Sequence, residues 1–281
     1  AQPKPKLSML RSVGSKLFLS VVGGSLIGLL GTTFWSYREL SRQAEGELLS
    51  SLQVKTENVE GNLSTLEYST KTVADALKNL YQAGERREQV YVNLINRALK
   101  TSPLATGLGF GQPPTSRLII PSRQYAYPYA VRENNIVTAK GGESDPGDYQ
   151  SRYFIDPIAA KKPIWLEPEA YTETTLDPPK QLVSTAYSLP FYTDDGKLLG
   201  VLSQDLELGF LSEKLGVPVM RDAGHFLLVS AQGNLLAYPP DPQQALDLKP
   251  FPQLSNYKGL WEEIQAGIGA GNNSGVLKWR D

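Results

Sequence analysis

An arginine, an aspartate and several aromatic residues between positions 152 and 205 could together form a site for a small polar molecule. The guanidinium of Arg152 can donate two parallel hydrogen bonds to a carboxylate, and the carboxylate of Asp205 can neutralise an ammonium group. A free amino acid carries both groups, so a pocket that presents both side chains could hold its two ends. Aromatic residues would supply the apolar wall and a cation–π contact. The aromatic candidates are Tyr153, Phe154, Trp165 and Tyr171.

Each of these residues also has a purely structural interpretation. Asp205 could cap a helix that the segment SEKLGV, residues 212–217, predicts. Arg152 could form a surface salt bridge with Asp148 or Asp156. The aromatic residues could belong to the core. The sequence leaves both interpretations open.

Other chemistries find less support in the sequence. Calcium prefers oxygen ligands, but the spacing of the acidic residues matches no EF-hand loop, so we predict no metal site and no cofactor. His225 is the only histidine and cysteine is absent, which argues against zinc and against a cysteine nucleophile. No G-x-S-x-G segment occurs, so a hydrolase that uses two carboxylates is the one enzyme class left open. The acidic residues considered are Asp145, Asp148, Glu167, Glu169, Glu173 and Asp177.

A nearly balanced composition argues against nucleic-acid binding. The net charge is -1 and the pI is about 6.0, so no polybasic surface is expected. The absence of cysteine excludes disulfides. Stability of the fold must therefore come from packing.

An uncharged apolar segment, residues 17–37, predicts a transmembrane helix, because about 20 residues span the roughly 30 Å of hydrocarbon in a bilayer. Basic residues lie in the preceding segment, residues 1–16, which predicts a cytoplasmic N-terminus. We expect a single-pass protein of the cell membrane, in contact with the lipid bilayer, whose main part is periplasmic or extracellular. A cleaved signal peptide is the alternative, although the segment is long for one and no A-x-A site follows it.

Two stripes of residues predict a parallel homodimer. In the membrane segment, small residues recur at every fourth position from Ser20 to Thr32, which allows two helices to approach closely. Beyond the membrane segment, apolar residues follow a heptad pattern from Leu49 to Leu80. A helix that packs against its own domain would explain the second stripe equally well.

The rest of the chain predicts an α+β fold. Residues 38–103 form the long helical stalk and a second helix, residues 86–100, which ends before Pro103. Short apolar runs between turn residues predict antiparallel strands in a module at residues 104–215, including one at residues 117–122. A second, incomplete module at residues 216–281 is expected to contain two strands, a helix at residues 257–266 and a last strand at residues 275–279.

Three segments resemble the double Cache sensor family of bacterial membrane receptors. Residues 188–208 resemble the hairpin that closes the membrane-distal module of that family. Residues 224–239 resemble the strand pair that opens the membrane-proximal module, and residues 260–281 resemble its helix and next strand. The resemblance implies two PAS-like sheet modules beyond an anchor helix and a long helix.

The resemblance also implies a ligand site in the distal module. Members that bind amino acids or amines have a motif to which Tyr149, Arg152, Tyr171 and Asp205 correspond. Phe154 and Ile155 stand where the motif has a Trp-Tyr pair, so the polar contacts of that pair are lost. The predicted ligand-binding residues are Tyr149, Arg152, Phe154, Trp165, Tyr171 and Asp205.

These expectations combine into one functional prediction. The chain would be the extracytoplasmic sensor of a signal-transduction receptor, of the chemotaxis or sensor-kinase type, and would bind a small polar molecule without catalysing a reaction. The alternative is an ectodomain without a ligand that has a structural role or binds a partner protein. An enclosed cavity at Arg152 and Asp205 would favour the first prediction, and a filled interior would favour the second.

Overall fold

A computed structural model describes the backbone of residues 13–174, 176–215, 226–254, 257 and 259–271, and the side chains from residue 38 onward except those of residues 41 and 45. The chain divides into two compact units, residues 1–55 and 56–281.

The first unit contains the beginning of helix α1, which extends over Val13–Gln82. The predicted transmembrane segment, residues 17–37, belongs to this helix, and the structure describes its backbone but not its side chains. Within the described residues, no helix has an apolar stretch long enough to cross a bilayer. The membrane span, the topology and the small-residue stripe therefore stay predictions.

The second unit contains the main sheet and the helices that cover it. Helix α2 (Glu88–Thr101) follows the end of α1 closely, as predicted. The sheet is antiparallel throughout, with strand order β3-β2-β1-β7-β6-β4, and β5 also pairs with β6. The strands are β1 (Gly107–Gly111), β2 (Tyr129–Glu133), β3 (Ile136–Lys140), β4 (Ile164–Trp165), β5 (Glu169–Glu173), β6 (Lys180–Tyr192) and β7 (Leu198–Glu207). The predicted α+β class is confirmed for this long helix and antiparallel sheet.

The two faces of the sheet differ because side chains alternate along each strand. Leu108 and Phe110 of β1 and Leu202 of β7 point to one face, where they form the main core with Leu77 of α1 and Ile95 of α2. The residues between them point to the opposite face. Strand β7 shows the alternation well, since Gln204 contacts α1 and Asp205 lines a cavity on the other side.

The heptad stripe of α1 is explained in part by packing within the chain. Leu66, Thr70 and Leu77 are buried against the sheet, whereas Leu49 is exposed. The C-terminal half of the stripe therefore packs against its own domain. The homodimer stays a prediction.

The prediction of a strand at residues 117–122 is wrong, because this segment forms a loop. The fully buried side chain of Gln112 accepts hydrogen bonds from the backbone nitrogens of Ile119, at 3.2 Å, and Ile120, at 2.8 Å. Its amide nitrogen donates to the carbonyl oxygens of Ile120 and Arg123, both at 2.9 Å. One side chain thus replaces the backbone partners that a strand would need.

A crossover joins β3 to β4 on the cavity side of the sheet. It contains a 3₁₀ turn at Pro146–Gln150 and helix α3 (Arg152–Ala160).

The C-terminal part contains a small two-stranded sheet and several helices. Helix α4 (Leu208–Leu215) continues from β7, and β8 (Leu228–Val229) pairs with β9 (Leu235–Ala237). Phe251 and Leu254 centre a separate cluster of buried apolar residues. Helix α5 (Pro242–Leu246) was not predicted, and α6 (Leu260–Gly269) begins three residues later than predicted. The predicted strand at residues 275–279 and the module boundary after residue 215 fall at or beyond the limits of the described residues.

Candidate functional site

A cavity of about 400 Å³ lies against the face of the sheet that α1 and α2 leave uncovered. Ligand pockets in proteins range over roughly 300–1,000 Å³, so this volume suits a small molecule. Strands β2, β5, β6 and β7 line it, together with the 3₁₀ turn and the start of α3. The interior of this module is therefore not filled by side chains.

The centre of the site is a hydrogen bond between two side chains from different strands. The hydroxyl of Tyr129 on β2 donates to Oδ2 of Asp205 on β7, at 2.5 Å. Strand β1 lies between β2 and β7 in the sheet, so these side chains must meet above it. They can do so because β1 has glycines at positions 107 and 109. A Cβ atom on Gly107 would lie 2.1 Å from the Tyr129 oxygen and 2.4 Å from Oδ2 of Asp205, and one on Gly109 would lie 2.5 Å from the Tyr129 ring.

Asp205 is a half-buried acid at the edge of an open space. The pKa of Asp205 is raised to about 6, chiefly because burial disfavours the charged carboxylate. The hydrogen bond from Tyr129 lowers the pKa of Asp205, whereas the nearby carboxylates of Glu173 and Glu169 raise it. Any group that supplies positive charge inside the cavity would therefore stabilise the ionised form of Asp205.

Four tyrosines form the aromatic wall of the cavity, namely Tyr127, Tyr129, Tyr153 and Tyr171. The rings of Tyr127 and Tyr129 stack with their centroids 5.6 Å apart, and the ring of Tyr153 is 5.3 Å from that of Tyr127. Burial raises the pKa of each of the four, so their hydroxyl groups stay protonated over the physiological range. The wall can make cation–π contacts and can donate or accept hydrogen bonds.

Two of the six predicted ligand-binding residues, Tyr171 and Asp205, line the cavity and lie close together. The hydroxyls of Tyr171 and Tyr129 are 3.5 Å apart, so Tyr171 joins the group around Asp205. The helix-capping alternative for Asp205 does not apply, since Asp205 is within β7 and its carboxylate is bonded to Tyr129.

The other four predicted residues lie outside the cavity lining. Tyr149 and Phe154 are buried behind it, with ring centroids 4.8 Å apart, and the Tyr149 hydroxyl donates to the carbonyl oxygen of Ala126. Trp165 donates from Nε1 to Oε1 of Glu67 on α1, at 2.7 Å. Tyr149, Phe154 and Trp165 therefore stabilise the fold, which is the structural interpretation that the sequence left open for aromatic residues.

Arg152 also has a structural role, namely the salt bridge with Asp156 that the sequence left open. Its Nε donates to Oδ2 of Asp156 one helical turn away, at 3.1 Å, and its side chain is 47% exposed. Its charge still reaches the cavity wall, since it lowers the pKa of Glu169, which burial raises more strongly. Arg152 therefore acts on the site at a distance and does not present its guanidinium to the cavity.

Sequence reasoning missed Tyr127 and Tyr129 as site residues. The available signal was the pair of alternating glycines in the segment GLGFG, because glycine inside a strand often marks a close approach of another group. The glycines alone do not indicate which ring covers the strand.

The acidic residues considered for calcium do not gather into an ion site. Within the described residues, no three carboxylate or imidazole side chains are close enough to hold one metal ion. Several acidic residues line the cavity separately, including Glu169 and Glu173.

Comparison with solved structures identifies the fold. The periplasmic sensory domain of the Campylobacter jejuni chemoreceptor Tlp1 superposes with a TM-score of 0.58 and 14% identity, over 78% of this chain and 79% of that one. The extracellular domain of the histidine kinase mmHK1S-Z3 has a TM-score of 0.56 and 18% identity, over 74% of this chain and 75% of that one. The ligand-binding domain of the C. jejuni chemoreceptor Tlp3, solved with L-norvaline, has a TM-score of 0.52 and 15% identity, over 78% and 75%.

No protein-family model matches the chain, and no curated protein matches it. At identities below 25%, the structural likeness establishes the fold alone. The chain has the fold of the extracytoplasmic sensory domains of chemoreceptors and histidine kinases, so the resemblance predicted from three sequence segments is confirmed at that level.

Proposed function

We propose that this chain is the ligand-sensing part of a bacterial membrane receptor and that it binds a small polar molecule, such as an amino acid, an amine or an organic acid. The observation that carries the proposal is the cavity at Asp205 and Tyr129, in a fold shared with sensory domains. The work of this part is binding followed by a conformational change. Any catalytic output of such a receptor would belong to a separate cytoplasmic domain.

Strand β7 provides a physical connection from the cavity to the long helix. Asp205 faces the cavity, and its neighbour Gln204 faces α1, where Oε1 accepts a hydrogen bond from Thr70 at 2.6 Å. The Gln204 amide also donates to Ser102 Oγ, just after α2, at 2.8 Å. A ligand that moves Asp205 would strain these buried bonds. It can shift the equilibrium between two states only by its difference in affinity for them.

The receptor arrangement rests on the sequence. Residues 17–37 would anchor the chain, the sensory domain would lie in the periplasm or outside the cell, and the stripes of small and apolar residues would support a homodimer. In this arrangement α1 would carry the displacement to the membrane.

The rival proposal is an ectodomain that has no ligand and binds a partner protein. Two features of the cavity favour a ligand. Burial raises the pKa of Asp205, so its charge is costly without a partner, and the Tyr153 hydroxyl has no hydrogen-bond partner among the described residues although its oxygen is buried. A domain selected only for packing would fill this space or satisfy these groups.

The decisive experiment is a thermal-unfolding screen of the full 281-residue chain in detergent micelles against amino acids, amines and organic acids. A ligand at 100 times its dissociation constant should add about 2.7 kcal/mol to the free energy of unfolding. Asp205→Asn should abolish the shift, and Asp195→Asn, which removes an exposed charge from the turn after β6, should preserve it. If no compound of any class stabilises the chain, the partner-binding proposal is favoured.

A further inference from the structure

The cavity has a large excess of negative charge. Among the residues that the structure describes, seven acidic side chains and one basic side chain, that of Lys140, line it. The Nζ of Lys140 donates to the carbonyl oxygen of Thr174 at 3.1 Å. An anionic ligand would have to enter against this charge. A cationic ligand would be attracted by it.

Three of the seven carboxylates have structural roles at the rim. Glu143 accepts hydrogen bonds from two backbone nitrogens, those of Gln124 and Tyr125. Asp145 accepts from the backbone nitrogen of Gly147 at 2.7 Å, and Glu167 accepts from Asn234 at 3.0 Å. These three keep their negative charge, because a neutral N–H donor does not neutralise a carboxylate, so all seven contribute to the field that a ligand meets.

Asp148 and Asp205 come from different elements of the cavity wall. Asp148 accepts a hydrogen bond from the hydroxyl of Ser144, and Asp205 accepts from the hydroxyl groups of Tyr129 and Ser203. A carboxylate can accept about four hydrogen bonds, so both have capacity for a ligand donor.

The tyrosines show that the two carboxylates share one aromatic wall. The charges of both Asp148 and Asp205 contribute to the raised pKa of Tyr127 and to that of Tyr153, after the larger effect of burial. These two rings, 5.3 Å apart, are thus within electrostatic reach of both carboxylates. The unpartnered hydroxyl of Tyr153 lies in this same stretch of the lining.

We infer that the cavity takes a linear aliphatic amine with at least two ammonium groups, one paired with Asp205 and the other with Asp148, and with its alkyl chain against Tyr127 and Tyr153. This inference rests on the proposed function and names the ligand class of the same site. Each ammonium supplies N–H donors to a carboxylate, and the tyrosine faces add cation–π contact. An amino acid matches the site less well, because Arg152 is outside the lining and paired with Asp156.

A series of four-carbon compounds tests the inference directly. Binding of 1,4-diaminobutane, butylamine, 4-aminobutanoate and succinate to the full chain in detergent is measured by calorimetry at pH 7.5 and about 0.15 M salt, where surface charges are largely screened. We expect 1,4-diaminobutane to bind at least tenfold more tightly than butylamine or 4-aminobutanoate, and succinate not to bind. If 4-aminobutanoate or succinate binds as tightly as 1,4-diaminobutane or more tightly, the inference is overturned and the proposed function stays intact. If none of the four compounds binds but another compound in the thermal-unfolding screen does, the inference is overturned and the proposed function stands.

Single substitutions test which carboxylate pairs with each ammonium group of the diamine. Asp205→Asn should weaken both amines at least tenfold. Asp148→Asn should weaken 1,4-diaminobutane about tenfold and leave butylamine within threefold, because only the second ammonium loses its partner. Asp195→Asn removes the same charge outside the cavity and should change neither affinity. If Asp148→Asn weakens both amines equally while circular dichroism is unchanged, the two-ended arrangement is wrong.

Discussion

The hydroxyl of Tyr129 and the carboxylate of Asp205 meet above a strand that belongs to neither residue. Their 2.5 Å hydrogen bond joins β2 to β7 across β1. It holds the acid in position, but neutral hydroxyl donors, here Tyr129 and Ser203, do not compensate the cost of removing the charge from water. The carboxylate is therefore fixed in place and electrostatically incomplete, which is the state expected of a group that waits for a cationic ligand.

The first prediction concerns the stability of the unliganded chain between pH 4 and pH 7. The pKa of Asp205 is about 6 in the folded chain and 3.8 in an unperturbed carboxyl, so the folded state holds this proton more tightly. The stability associated with protonated Asp205 is complete below pH 4 and is lost as pH rises through 6. Asp205→Asn removes this loss, and should make the chain more stable than the wild type by about 3 kcal/mol at pH 7 and by little at pH 4.

Urea unfolding at a series of pH values measures this difference. The variant removes the titration of Asp205 and its effect on the neighbouring carboxylates of Glu169 and Glu173, so the difference between the two curves reports this one substitution. Asp195→Asn is the control, because the pKa of Asp195 is lowered to about 2 by hydrogen bonds from Lys197 and Thr193 and the residue is exposed. Parallel curves for the wild type and Asp205→Asn would contradict the prediction. The groups facing Asp205 are Tyr127, Tyr129, Tyr153, Glu169, Tyr171 and Glu173.

The second prediction concerns Gly107, which keeps space open beneath the central pair. Gly107→Ala places a Cβ atom against the Tyr129 oxygen and Oδ2 of Asp205, so the pair must move. We expect the affinity for 1,4-diaminobutane to fall at least tenfold and the chain to lose about 1–3 kcal/mol of stability.

A second glycine provides the matched control. Gly61 lies in α1 with nothing within 4 Å of an added Cβ atom. Gly61→Ala should leave the affinity unchanged and stabilise the helix by about 0.5–1 kcal/mol. If Gly107→Ala binds the ligand as tightly as Gly61→Ala does, the Tyr129–Asp205 pair is not part of the binding site.

Several secondary-structure elements were predictable because they follow local sequence patterns. Helix α2 and strand β1 agree with the apolar periodicity and with Pro103 and the glycine residues that bound them. The segment at residues 117–122 has the composition of a strand, but Gln112 supplies its hydrogen bonds from outside the segment. A side chain that replaces a strand partner leaves no local signal.

The candidate site was predictable only in part. Asp205 and Tyr171 could be found because a carboxylate and an aromatic residue have recognisable chemistry. Arg152 has equally suggestive chemistry, but a salt bridge one turn along α3 directs it to Asp156. Tyr129 becomes a site residue only because β1 lies between β2 and β7 and carries glycines. That depends on strand order, which the sequence pattern does not specify.

The third prediction distinguishes an amine from an amino acid through Arg152. Its positive charge lowers the pKa of Glu169 in the cavity wall, so Arg152→Ala makes the surroundings of the cavity more negative. We expect 1,4-diaminobutane to bind with equal or up to about fivefold higher affinity, a gain of up to about 1 kcal/mol. An amino acid whose carboxylate used the guanidinium would instead lose affinity.

Measuring the affinity of Arg152→Ala and of Asp156→Asn by calorimetry separates loss of the guanidinium from loss of the ion pair. Asp156→Asn frees the same guanidinium without removing it, so the affinity for the diamine should stay the same or fall slightly. A tenfold loss in Arg152→Ala with normal circular dichroism would return Arg152 to the binding site.

The fourth prediction tests the connection between β7 and α1. Thr70→Val keeps the shape of the side chain but removes the donor to Gln204, whose Oε1 is then left with Ser69 at 3.3 Å. Leaving this buried acceptor poorly satisfied should cost about 1–3 kcal/mol. The cavity itself is unchanged, so 1,4-diaminobutane should bind within threefold of its wild-type affinity.

Hydrogen exchange then separates coupling from stability. In the wild-type chain, 1,4-diaminobutane should slow exchange in residues 66–77 of α1, because Asp205 and Gln204 are consecutive in one strand, and Thr70→Val should reduce this protection by at least half. Thr72→Val is the control, since its hydroxyl donates to the carbonyl oxygen of Tyr68 on the exposed side of α1. It should change stability by less than about 0.5 kcal/mol. Full ligand-dependent protection in Thr70→Val would mean that the displacement reaches α1 by another route, such as the core contacts of Leu77.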